Sequence, residues 1–271
     1  MKKFFLIFTA VFTMTILSFG QNQNEVLEEG KLLYRLEKAS WYGTDLFLEI
    51  LSHKRDNIGG YLSYINDKNQ VTNIFFEKNN QFHIIVRFVF DKLPQQNPIM
   101  IDTLNHTATP TEKDLITIRQ NTIREISENK DEFFTFYKNT SINPIPLINN
   151  GKRQVFILTT STESNVLIIG NDYLFTYNKK NKLTKKEKVH NSLLEYPYKA
   201  EGPTYHSHVL SDLITSTDIC TLLLYKDYVE WKQHYVISKK YISIFDLEKE
   251  TLAVMTREAW EKILEHQKGK E

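Results

Sequence analysis

The chain has almost no cysteine. Cys220 is the single one in 271 residues, so no disulfide can close within the chain. Its neighbours Ile219, Leu222 and Leu223 mark it as a small core residue rather than a nucleophile. Net charge is nearly absent too. The formal value is +1, and it becomes −1 without Lys2 and Lys3. A nucleic-acid binder carries a clearly basic face, so this balance argues against that class. Beyond the N-terminus there is no second long apolar run, so no membrane span is expected in the mature chain. Internal repeats and low-complexity tracts are missing. Gly59-Gly60 lacks the strand and helix context of a phosphate-binding loop and reads as a turn.

The N-terminus carries the marks of an export signal. Lys2 and Lys3 supply a basic start, and Phe4 to Leu17 form an apolar stretch too short to span a bilayer comfortably. Ser18 and Gly20 place small residues at the positions that favour cleavage, so residues 1–20 read as a signal peptide cut after Gly20. This implies a periplasmic or secreted protein.

Residues 21–150 read as an N-terminal α+β region. A short helix over 24–40 leads into Trp41-Tyr42-Gly43-Thr44-Asp45-Leu46-Phe47-Leu48, expected to pack under a turn at Gly43. Three strand-like runs follow, Tyr61 to Ile65, Val71 to Glu77 and Phe82 to Phe90. Turn residues at Asn66-Asp67 and Asn79-Asn80 predict an antiparallel meander. Thr111, with Asp114 three places on, is expected to cap a long helix reaching about Lys138. Pro144-Ile145-Pro146 ends helical structure, and a boundary is set near residue 150.

Residues 151–271 form the C-terminal region. Val155 to Leu158, Val166 to Ile169 and Tyr173 to Tyr177 read as strands. The lysines between 179 and 188 lie among turn residues and read as a solvated hairpin tip. Then comes the segment with the most chemistry, Pro203 to Leu224. His206 and His208 are one residue apart, and on an extended backbone they project to the same side. Two such imidazoles plus one carboxylate leave a fourth position for water, the catalytic zinc pattern. Such a water reaches a pKa of roughly 7 and becomes a nucleophile at neutral pH. Asp218 is the acid at the start of the helix that follows. Thr215, Ser216, Thr217 and Asp218 are equally good helix-capping residues, so a purely structural reading stays open. Strands at 235–238, 241–245 and 252–255 and a last helix capped by Thr256 complete the order. His190 and His234 are candidates for the same site without spacing support.

His206-Ser207-His208 followed by Thr215-Ser216-Thr217-Asp218 resembles the motif of JAMM (MPN-type) metallopeptidases, His-x-His, about seven residues, then Ser-x-x-Asp. Here a threonine stands at the serine position, the loop is one residue shorter, and Val209 replaces a frequent proline. Glu163-Ser-Asn-Val-Leu-Ile-Ile-Gly170 is similar to the family's early segment, a Glu before an apolar strand. The resemblance implies that His206, His208 and Asp218 hold zinc. It also implies that Glu163 is the general base and that Ser216 or Thr215 stabilises the developing oxyanion. The mature chain also resembles a group of uncharacterised exported bacterial proteins, through Trp41 to Phe47, Gly170 to Leu174 and Thr217 to Leu222.

The expected fold class is therefore α+β, with an N-terminal antiparallel sheet and long helix and a C-terminal JAMM-like α/β region. Two functions stay open. One is an exported zinc-dependent hydrolase of an amide or isopeptide bond in a peptide or small amide. The other is a non-catalytic exported binding or envelope protein that keeps the fold without the metal.

Overall fold

The computed structural model describes residues 2–200 and 202–268, with side chains from residue 22 to residue 266. The expected signal peptide, residues 1–20, lies outside the described side chains. The chain is α+β. It divides into two compact units, residues 32–198 and residues 1–31 with 199–271. The boundary expected near residue 150 instead falls in a hairpin turn inside the first of these. Helix α1 (Lys2–Ile50) gives residues up to Lys31 to one unit and from Leu32 onward to the other. Gly43 is helical here and not a turn. It lets the helix approach Asn73 so closely that a Cβ would stand 2.0 Å from Asn73 Oδ1.

Within residues 32–198, strands β1 (Ile58–Ile65), β2 (Val71–Glu77), β3 (Ile84–Phe90) and β4 (Met100–Asp102) form an antiparallel sheet in sequence order. This is the expected meander with a short fourth strand. Helix α2 (Pro110–Glu128) opens two residues earlier than expected. Thr109 is the cap, Pro110 takes the first helical turn, and Glu112 closes a capping box with Thr109. The helix ends at Asn129, whose positive φ of 22° breaks it before the expected end near Lys138.

Strands β5 (Thr140–Asn149), β6 (Lys152–Ser161), β8 (Tyr173–Tyr177) and β9 (Leu183–Lys188) form a second antiparallel sheet. Strand β7 (Val166–Gly170) pairs with β10 (Leu193–Pro197). Pro144 and Pro146 lie inside β5, not in a breaker, because β5 is an edge strand and tolerates missing N–H donors. Helix α2 serves both sheets. Leu115 and Ile116 pack with Leu62, Ile74, Phe76 and Ile84, while Ile118 and Ile126 pack with Val155, Ile157, Tyr173 and Phe175. Each of these side chains contributes about 1.5–3 kcal/mol by leaving water.

The other unit carries the candidate site. Strand β11 (Thr204–Ser207) is joined through helix α3 (Ser216–Tyr225) to β12 (Gln233–Ile237), which runs parallel to it. Strands β13 (Tyr241–Asp246) and β14 (Thr251–Thr256) extend the sheet antiparallel, in the order β11-β12-β13-β14. Helix α4 (Arg257–Lys268) follows, with Thr256 Oγ1 accepting the Ala259 N–H as the expected cap. Trp260 packs on Tyr235, but Ile263 and Leu264 remain exposed, so the expected apolar stripe is buried only at its start. Gly30 of α1 meets Ile219 of α3, where a Cβ would stand 2.6 Å from the Ile219 side chain. Cys220 is fully buried. Among the described residues no helix is long and apolar enough to cross a membrane.

Candidate metal centre

The site begins with the pleat of β11. Thr204 and His206 are buried while Tyr205 and Ser207 are exposed, so alternate residues share one face. The ladder extends one step further, because the His208 N–H donates to Ile237 O at 2.9 Å. His208 therefore stays on the face of His206, as the spacing predicts. The chain then leaves the sheet through a loop tied down at several points. Ser238 Oγ donates to Asp212 O at 2.7 Å, and the Ile214 N–H donates to Ser243 Oγ at 3.2 Å.

Thr215 caps α3, and Asp218 is the third residue of that helix. Asp218 Oδ2 accepts the Thr215 N–H at 2.9 Å and the Thr215 hydroxyl at 2.7 Å. The capping reading and the ligand reading therefore describe the same carboxylate. A carboxylate here also meets the positive end of the helix dipole. It faces the histidines, with Oδ2 at 3.3 Å from His208 Nε2 and Oδ1 at 3.8 Å from His206 Nε2. The two Nε2 atoms are 2.7 Å apart.

His206, His208 and Asp218 could hold a metal ion, since their ligand atoms lie within 4.8 Å of one another. A tetrahedral centre with bonds of about 2.0–2.1 Å sets ligand-to-ligand edges of about 3.3–3.4 Å. The observed 2.7, 3.3 and 3.8 Å bracket that value. All three residues are buried, at 5%, 7% and 1% exposure.

Each imidazole is oriented from behind, as metal-binding histidines generally are. His208 Nδ1 lies 2.8 Å from Leu213 O. His206 Nδ1 lies 2.7 Å from Nε2 of His234, a fully buried residue of β12. His234 Nδ1 in turn lies 2.7 Å from Thr204 Oγ1. Burial, and then repulsion from His206, push the His234 imidazole down to about 3 against the pull of Asp218, so this ring is neutral.

In the sequence His234 is a candidate for the site without spacing support. The signal that could have raised it is topological. A strand–helix–strand unit lays its second strand beside the first, and position 234 pairs with Thr204 across that ladder. The remaining candidates sit as follows. Thr215 commits its hydroxyl to Asp218, which makes it a support for that carboxylate. Ser216 is buried in the first turn of α3. Glu163 belongs to residues 32–198, where it is exposed and accepts a hydrogen bond from Asn139 Nδ2 at 2.5 Å. His190 belongs to the same unit as Glu163, and its Nδ1 lies 3.3 Å from Asp172 Oδ2.

No family model, no curated protein and no solved structure matches this chain. The functional reading therefore rests on the geometry of the centre itself.

Proposed function

We propose that the chain is an exported zinc-dependent hydrolase of amide or isopeptide bonds, JAMM-like in its use of His206, His208 and Asp218 as protein ligands. The observation that carries this reading is the convergence of those three side chains at the end of β11 and the start of α3. Two imidazoles and one carboxylate suit zinc among the common biological ions. Bound zinc supplies a Lewis acid and lowers the pKa of water to roughly 7. The chain's own part is orientation. Leu213 O fixes His208, His234 fixes His206, and Thr215 fixes Asp218. No general base is assigned, since Glu163 is engaged by Asn139 in the other unit. The basic and apolar N-terminus supports export.

One observation favours a second reading. The three ligand residues are at most 7% exposed, which suits a closed metal site in a non-catalytic exported protein. Zinc content of the purified chain, beside a His206→Ala/His208→Ala double variant checked by circular dichroism, tests the shared premise. About one zinc per chain, lost in the folded variant, is the expected result. No zinc in either protein after supplementation overturns both readings. With zinc present, hydrolysis of amide or isopeptide substrates that is lost in the double variant supports the hydrolase. Zinc that resists chelators, with no hydrolysis across peptide and isopeptide panels, supports the closed site.

A further inference from the structure

We propose that the unit of residues 32–198 holds a binding site for a small aliphatic carboxylate, anchored by Arg35. The inference is independent of the metal centre.

A cavity of about 250 Å³ lies where α1, β1, α2 and the end of β5 meet. Leu32, Ile65, Leu115 and Ile148 supply apolar walls, and Arg35 is the one charged residue of the lining. The volume falls below the roughly 300–1,000 Å³ of sites for drug-sized ligands, so the occupant is small.

Arg35 is held still without being neutralised. Its Nε donates to Lys92 O at 2.5 Å. Its Nη2 donates to Asn69 O at 3.1 Å and to Asn69 Oδ1 at 3.4 Å. Lys92 follows β3 and Asn69 lies in the β1–β2 turn, so the guanidinium is fixed from two directions. Among the described residues Arg35 has no carboxylate partner, and nothing pairs with its Nη1. Carbonyl oxygens orient a guanidinium but do not cancel its charge. The hydrogens left on the fork suit a carboxylate or a phosphate. The apolar walls decide between these two. A phosphate would press unsatisfied oxygens against Leu32 and Ile148, whereas an alkyl carboxylate has one polar end and a body that gains by burial.

The border of β5 adds a donor. Pro144 and Pro146 have no N–H. The two-residue turn Asn150-Gly151, with positive φ at both positions, closes the hairpin at the Asn149–Lys152 pair. Odd-numbered residues of β5 therefore bond to β6, and the Ile148 N–H faces the outer border. Ile148 is also a wall of the cavity, so that wall brings an amide donor as well as aliphatic carbon.

The test is titration of the ¹⁵N-labelled chain with sodium alkanoates from acetate to octanoate, followed at the Ile148 amide and at Arg35 Nε. Saturable shifts of both signals are expected, with affinity rising about fourfold per added methylene until the cavity is full. Hexanol, which keeps the apolar body without the charge, should bind about 10–100-fold more weakly than hexanoate. Arg35→Met should weaken hexanoate by a similar factor, and inorganic phosphate should bind more weakly than hexanoate. No saturable shift with any alkanoate overturns the site. Equal affinity for hexanoate and hexanol, or unchanged hexanoate binding in Arg35→Met, overturns the role of the charge. Affinity that stays flat along the series, or phosphate binding as tightly as hexanoate, overturns the aliphatic class of ligand. Arg35→Met gives up both carbonyl ties. If that variant does not fold, hexanoate against hexanol on the parent chain decides.

Discussion

His206 and His208 bring their Nε2 atoms to 2.7 Å from each other, with the Asp218 carboxylate beside both. The arrangement concentrates nitrogen and oxygen lone pairs in a buried space, where a cation is the natural partner.

Asp218 caps α3 and is the carboxylate of the proposed metal site, and two substitutions separate these tasks. Asp218→Asn retains an oxygen that can accept the Thr215 N–H, so helix α3 should keep most of its cap. Asp218→Ala should lose the cap as well, at a cost of about 0.5–2 kcal/mol. Both variants should lose most of their metal affinity. Thermal melting of the metal-free proteins, beside zinc content, checks the separation.

Glu37 is buried in residues 32–198 and accepts a hydrogen bond from Asn143 Nδ2. Burial lifts its carboxyl to about 7, against the opposing effects of Arg119 and Asn143, while its ordinary value is 4.5. As pH rises the unfolded chain gives up this proton first. Stability is therefore complete below about 4.5 and falls as pH climbs through about 7. Glu37→Gln should remove that slope. The variant should match the parent at pH 4 and exceed it by up to about 3 kcal/mol at pH 8 in urea denaturation.

Arg87 and Glu112 form a buried two-pronged pair, at 2.8 and 2.9 Å. Burial pushes the Glu112 carboxyl up, but Arg87 and the Thr109 N–H outweigh it, so the group is held below the usual range. Its stabilisation is present at neutral pH and is lost as pH falls through that lowered value. Arg87→Met should cost about 3–5 kcal/mol, because it leaves a buried charge alone. Arg87→Met combined with Glu112→Leu should recover part of that loss. Denaturant titration of the two single variants and the double variant checks the coupling.

Gly43→Ala tests the close approach of α1 to β2. In an exposed helix this change stabilises by about 1 kcal/mol. Here the added Cβ would meet Asn73 Oδ1 at 2.0 Å, while Asn73 Nδ2 is held by Leu62 O and Ser63 Oγ. The sign should reverse, with a loss of about 1–3 kcal/mol. A fall in melting temperature is the expected reading, and a rise would remove the packing argument.

Much of this fold is legible residue by residue. The alternation of His206 and His208 follows from the strand period, and the strands of the C-terminal sheet fall where their apolar runs place them. The misplaced features have physical causes. Gly43 reads as a turn because the cost of a helical glycine is visible in sequence while the Asn73 contact that requires it is not. Thr111 reads as the cap because Thr109 precedes a proline, and Pro110 at the helix start is itself a helix-opening signal. Pro144 and Pro146 read as breakers because edge position depends on which strands pair. His234 is a candidate without spacing support for the same reason. It reaches His206 through strand pairing across 28 residues, which no local spacing records.

The prolines of β5 have a consequence for the border of its sheet. Pro144 and Pro146 are two apart, so both present the same side of the strand, and β6 already occupies the inner one. At these positions the outer border has no amide hydrogen to satisfy. Pro144 to Leu147 are buried, so this stretch of the border is covered by the unit without stranding an amide donor at either proline.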